Sequence, residues 1–210
     1  MSEKHEWRKK EKSLYLPKNK PEIVTVPEFK FLTVKGQGNP NSDEFSACVA
    51  ALYSVAYAIK MQLKNKEAKP KGYIDFTVYP LEGIWDITDQ AKQDFTGTIN
   101  KDDLVYQLMI RQPSFIDAHY FQEMLVVAKQ KKPNPMLDRV EFKTCSEGLC
   151  VQMLHLGPFE NESFSFDEME KFAKDQSLTR MSKVHREIYL SDARKVSPEK
   201  YKTVLRFQAH

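Results

Sequence analysis

Residues Ile23–Gly36 read IVTVPEFKFLTVKG. β-Branched and aromatic side chains flank Pro27-Glu28, a pattern that predicts a two-stranded hairpin, because such residues suit a pleated surface and proline punctuates it. Beyond the loop QGNPN, Phe45, Val49, Leu52, Ala56, Ile59 and Leu63 recur at helical spacing, with Asp43 near the start. An amphipathic helix over Asp43–Lys64 follows. Tyr73–Pro80 reads as a strand, Leu81–Trp85 as a turn and Asp103–Gln112 as a strand. Ser114–Lys131 reads as a helix stopped by the breaker run KKPNP.

The second half repeats this order. Val140–Thr144 and Leu149–Leu156 match the first hairpin, Gly157 matches Gly36, and Phe166–Asp175 matches the long helix. Val184–Ser191 matches Tyr73–Pro80, and Tyr201–Phe207 matches Asp103–Gln112. The expected fold is α+β: tandem strand-helix-strand-strand modules, about 22–112 and 139–207, with antiparallel sheets. One helix per module covers one sheet face, so a ligand cleft between the halves is expected. Residues 1–21, charged but carrying Trp7, Leu14, Tyr15 and Leu16 before Pro17, read as a short docking arm.

Composition narrows the function. The chain has 210 residues, 41% of them hydrophobic and 24 aromatic (13 Phe, 9 Tyr, 2 Trp), which marks a folded globule with a real core. Lys and Arg total 32 against 29 Asp and Glu, interspersed, so no phosphate-tracking surface and no direct nucleic-acid binding is expected. Cys48, Cys145 and Cys150 are odd in number and have no metal or disulfide spacing, which fits a reducing cytoplasm. No membrane span is read, since no apolar run approaches the roughly 18 residues required. Five singly scattered histidines exclude an obvious metal site, and no nucleotide or hydrolase motif occurs, so no cofactor is expected.

Strand alternation sorts the candidate site. In Val184–Leu190, the set Val184, Arg186, Ile188 and Leu190 is assigned to the helix side. His185, Glu187 and Tyr189 point the other way. In the matched strand, Tyr73, Asp75, Thr77 and Tyr79 lie opposite an apolar face, with Trp85 close behind and Tyr106 and Met109 on the next strand. Rings with one or two carboxylates suit a planar hydrophobic or cationic ligand, through stacking and cation–π attraction. An ordinary solvated polar sheet face has the same pattern.

The strings YLPKNKPEIVTVPEFKFLTVKGQGNPN, YPLEGIW, MIRQP, EGLCVQMLHLGPF and HREIYLSDAR resemble the GyrI-like small-molecule-binding family, in the branch that lacks a DNA-binding domain, and the resemblance runs from about Trp7 to Phe207. That resemblance implies a single duplicated module around a ligand cleft, with Glu187 of EIYL as the cleft glutamate. Some standalone members open the cyclopropane of planar DNA-alkylating compounds, which implies a detoxifying hydrolase. Two departures are Arg186, where that branch often has a second histidine, and Asp86, where it often has a second aromatic. On this reading Glu187, its pKa raised by an apolar cleft, is the general base. Tyr189, or His185, hydrogen-bonds the water or the nascent oxyanion. Trp85, Tyr79 and Tyr106 stack the ligand, and Met109 and Thr77 complete the lining. The alternative is a non-catalytic protein that sequesters drugs or modulates gyrase. Oligomeric state is not legible.

Overall fold

A computed structural model of the chain describes residues 3–95, 97–193 and 195–210. Two short helices, α1 (Trp7–Lys10) and α2 (Lys12–Tyr15), precede β1 (Glu22–Val26) and β2 (Phe29–Gln37). Then follow α3 (Asp43–Asn65), β3 (Leu81–Ile87), α4 (Asp89–Gln93), β4 (Leu104–Gln112) and α5 (Ala118–Lys131). The second half contributes β5 (Glu141–Cys145), β6 (Gly148–Leu156), α6 (Glu162–Asp175), β7 (His185–Tyr189) and β8 (Lys202–Gln208). The α+β class and the antiparallel strands agree with the sequence.

The chain divides into two compact units, and these are not its two halves. The first holds the described residues before Trp7, with Phe29–Tyr79 and Asp86–Cys145; the second holds Trp7–Glu28, Pro80–Trp85 and Ser146–His210. The expected hairpins do not form. β1 pairs with β6 (Val24 opposite Cys150) in the second unit, whereas β2 pairs with β4 and β5 (Leu32 opposite Ile110 and Phe142) in the first. Each half thus gives its opening strand to the other unit. Alternation predicts strands but is blind to partners, since an open strand edge accepts any register-compatible neighbour.

The first unit runs β4-β2-β5 under α3 and α5. Ser42 caps α3 by accepting from the Phe45 amide at 3.2 Å, and Asp117 caps α5 by accepting from the Tyr120 amide at 2.8 Å, each using an otherwise orphaned donor. By length and composition α3 could cross a membrane, which the expectation of no such run overlooked. Its Leu52, Val55, Ile59 and Leu63 are instead fully buried in this unit's core.

The second unit runs β1-β6-β8-β7-β3, with Gly83 opposite Glu187 and Trp85 opposite His185. Here the strand forms where a turn was expected: Leu81–Ile87 is β3, while Tyr73–Pro80 makes only an isolated bridge at Phe76 to His5. Pro80 explains the shift, because it starts the paired segment without owing the ladder an N–H. The helix expected from Phe166 begins four residues earlier, at Glu162.

The faces of β7 are the reverse of those expected. α6 buries Met169 and Ala173 on Val151, Met153, Leu205 and Phe207, and Leu205 lies opposite Glu187 in the register. His185 and Glu187 therefore lie on the α6 side, with His185 against Phe166 of α6 at 4.7 Å between ring centroids. Arg186 faces the other way, into a buried charge network beneath the N-terminal arm. It meets Glu82 at 2.6 Å and Glu147 at 2.9 Å; Arg206 meets Glu147 at 3.1 Å and donates to the Leu14 carbonyl at 2.7 Å, and Gln152 donates to the Ser13 carbonyl at 2.6 Å. Burial works to strip the Arg186 proton, but Glu147 and Glu82 outweigh it and hold the guanidinium charged. The arm is accordingly integral, with Trp7 and Tyr15 buried and their rings 5.2 Å apart.

Candidate functional site

β3, β7 and the first turn of α6 bring the key side chains together within the second unit. Glu187 is 8% exposed and Glu162, the first residue of α6, is also 8% exposed. Their carboxyl groups are within hydrogen-bonding reach of each other. His185 Nε2 lies 3.1 Å from Glu187 Oε1. The Tyr189 hydroxyl also hydrogen-bonds Glu187 and accepts the Trp85 indole N–H at 2.7 Å. Phe159 stands edge-on to Tyr189 at 6.1 Å and against Tyr201 at 5.1 Å.

Two carboxylates in contact cannot both ionise cheaply away from water. Burial, then the Glu187 charge, push the Glu162 carboxyl well above its ordinary range, although a helix N-terminus would pull it down. Glu162 is thus the protonated partner, able to donate its proton toward Glu187. Its Oε1 is buried with no hydrogen-bond partner among the described residues. Burial and the two glutamates likewise raise the Tyr189 phenol, which keeps its proton. The result is one negative charge, one transferable proton and a phenolic O–H in an aromatic setting.

Room for this comes from Gly83. A Cβ there would stand 2.7 Å from the Trp85 Nε1 and 3.2 Å from the Tyr189 hydroxyl, so only glycine lets those side chains meet beside Glu187.

Of the residues expected from sequence, Glu187, Tyr189, His185 and Trp85 come together here. Thr77, Tyr79, Tyr106 and Met109 belong to the first unit. There Tyr106 packs edge-on to Phe45 at 5.0 Å and tightly over Gly36, and burial raises its phenol to about 12. Met109 is fully buried in the core, and Tyr79 carries the Arg111 guanidinium 4.6 Å from its ring centroid. The assignment of Tyr79 and Thr77 to a strand equivalent to β7 does not hold, since β3 begins after them. Sequence reasoning missed Glu162, Phe159, Tyr201 and Gly83. Glu162 lies in GPFENES, where Gly157-Pro158 announces a turn, and an acidic residue four positions on is a helix-start signal.

An open depression of about 420 Å³, lined by Lys174, Arg180, Lys183 and Glu170 among others, includes neither carboxylate of the pair. Glu170 pairs with both Arg180 and Lys183 at 2.7 Å, which accounts for the local charge.

The chain is similar to a hydrolase from Listeria innocua, 39% identical, with 99% of this chain and 100% of that chain covered and a TM-score of 0.87. An uncharacterized conserved protein from Listeria innocua gives the same identity, coverage and TM-score. The EcmrR C-terminal domain, 11% identical over 91% of this chain and 97% of that one, shares the fold at a TM-score of 0.54. No curated protein matches the chain. Residues 19–209 match the GyrI-like small molecule binding domain, and with nearly the whole chain accounted for, this protein belongs to the GyrI-like small-molecule-binding family.

Proposed function

We propose that the protein is a hydrolase that adds water to planar, electrophilic small molecules, with a cyclopropane conjugated to a dienone as the preferred electrophile. The observation that carries this reading is the buried Glu162–Glu187 pair beside the Tyr189–Trp85 hydrogen bond, a place where one carboxylate can take a proton while its neighbour can give one. The 39% identity to a Listeria innocua hydrolase supports it.

Glu187 accepts a proton from water as the water oxygen bonds to the cyclopropane methylene. The strained C–C bond breaks, and its electron pair moves into the ring to form a phenolate. The Glu162 carboxylic acid supplies the proton that neutralises that oxygen, and proton return from Glu187 restores the pair. Tyr189 holds the geometry of Glu187, while Trp85, Phe159 and Tyr201 offer ring surface. One acid–base group contributes about 10² to 10⁴-fold, which suffices for a substrate whose strain already lowers the barrier.

A carboxylate among rings also suits a cation, so sequestration without turnover is the second reading. Incubating a catalytic amount of protein with a cyclopropanoid alkylator, and following by mass spectrometry a product one water heavier, separates the two. Many turnovers are expected, with Glu187→Gln slower by at least about tenfold and still folded. Protection that stops at stoichiometry assigns sequestration, and normal turnover by Glu187→Gln removes that residue from the role.

A further inference from the structure

Keeping Glu162 against Glu187 costs free energy: both are buried, and Oε1 of Glu162 gains no hydrogen bond among the described residues. Such a side chain would turn away if its backbone could shift. The usual restraint at a helix start is missing, since Asn161, at the N-cap of α6, makes no side-chain capping bond. The turn before it is special too, with Gly157 at φ +119°.

We propose that His155 is a positioning residue for the carboxylate pair: its imidazole ties the end of β6 to both sides of the turn that delivers Glu162. His155 is 4% exposed. Its Nε2 lies 3.1 Å from the Pro158 carbonyl oxygen and its Nδ1 lies 2.9 Å from the Ser165 hydroxyl. A carbonyl can only accept, so Nε2 carries the hydrogen and Nδ1 accepts from Ser165 in the neutral ring. Pro158 precedes the 3₁₀ turn Phe159–Asn161, and Ser165 lies three residues past Glu162 on α6. One rigid ring therefore brackets the segment bearing Glu162, from outside the site and without touching the pair. The groups that face Glu162 are Glu187 and Tyr189 from β7 and Glu160 from the 3₁₀ turn.

This inference rests on the reading of Glu162 and Glu187 as the working pair, and its test reads the pair without substrate. Full-length protein labelled with ¹³C at glutamate side-chain carboxyls is titrated by NMR, with Glu162→Gln identifying the Glu162 signal. The wild type is expected to show one glutamate titrating well above the ordinary range. Ser165→Ala and His155→Leu should lower it by at least about one pH unit, a tenfold change in proton affinity. His155→Gln, whose amide can donate to Pro158 and accept from Ser165, should restore it. Folded Ser165→Ala with an unchanged Glu162 titration overturns the proposal even if His155→Leu fails to fold. A wild type with no high-titrating glutamate overturns the pair itself, and the positioning role with it.

Discussion

Trp85 donates its indole N–H to the Tyr189 hydroxyl at 2.7 Å, joining β3 to β7 between residues 104 positions apart. The same hydroxyl reaches Glu187, so the indole, the phenol and the carboxylate form one chain of hydrogen bonds. Each link fixes the next, as expected where the local dielectric is low.

Tyr189→Phe tests that chain. It leaves the Trp85 N–H without its acceptor, and an unsatisfied buried donor costs about 1–3 kcal/mol. The urea midpoint should fall accordingly, and the proposed water addition should slow as Glu187 loses a donor. An unchanged midpoint would show that the hydrogen bond contributes no net stability.

Glu162→Gln tests the shared proton through pH-dependent stability. Folding raises the Glu162 pKa above the ordinary value of 4.5, so the folded chain holds the proton more tightly than the unfolded chain. The associated stability is complete below that ordinary value and is lost as pH rises through the raised one. Relative to Glu162→Gln, the wild type should therefore lose thermal stability progressively above about pH 4.5. Parallel melting curves at every pH would contradict a raised carboxyl.

Gly83→Ala introduces a methyl 2.7 Å from Trp85 Nε1. The indole must move or the strand must bend, at a cost of about 1–3 kcal/mol. Loss of ligand affinity with a shifted tryptophan emission is the expected result. Wild-type emission and affinity would mean that the cradle is not needed.

Arg186→Met tests the opposite face of β7. Glu82 would be left buried without its cation, while Glu147 would keep only Arg206, and removing one partner of a buried pair costs about 3–5 kcal/mol. Replacing Arg186 and Glu82 together by apolar residues, with Glu147 kept for Arg206, should recover much of that loss. Chemical denaturation of both variants measures it.

Local pattern carried the elements far. The helical spacing from Phe45 to Leu63 and the alternation in Val184–Leu190 were legible because side-chain direction repeats with the backbone. Glu187, His185 and Tyr189 could be placed on one face for that reason, whereas Trp85, read in a turn just after Tyr79, meets them only because β3 pairs with β7. The face itself was misassigned: Arg186 looked like a helix-side neighbour of Ile188, but its long side chain could be buried only where Glu82 and Glu147 also converge.

By itself the sequence determined the α+β class and the grouping of three polar side chains on β7, since these follow from short-range periodicity and composition, while its long matching strings carried the family. Tertiary structure alone decided that β1 and β5 exchange units, that β3 starts after Pro80, and that Glu162 meets Glu187 twenty-five residues away. Strand pairing and the contact between two carboxylates are choices among distant partners, made by the free energy of burying the whole chain, and no local window records them.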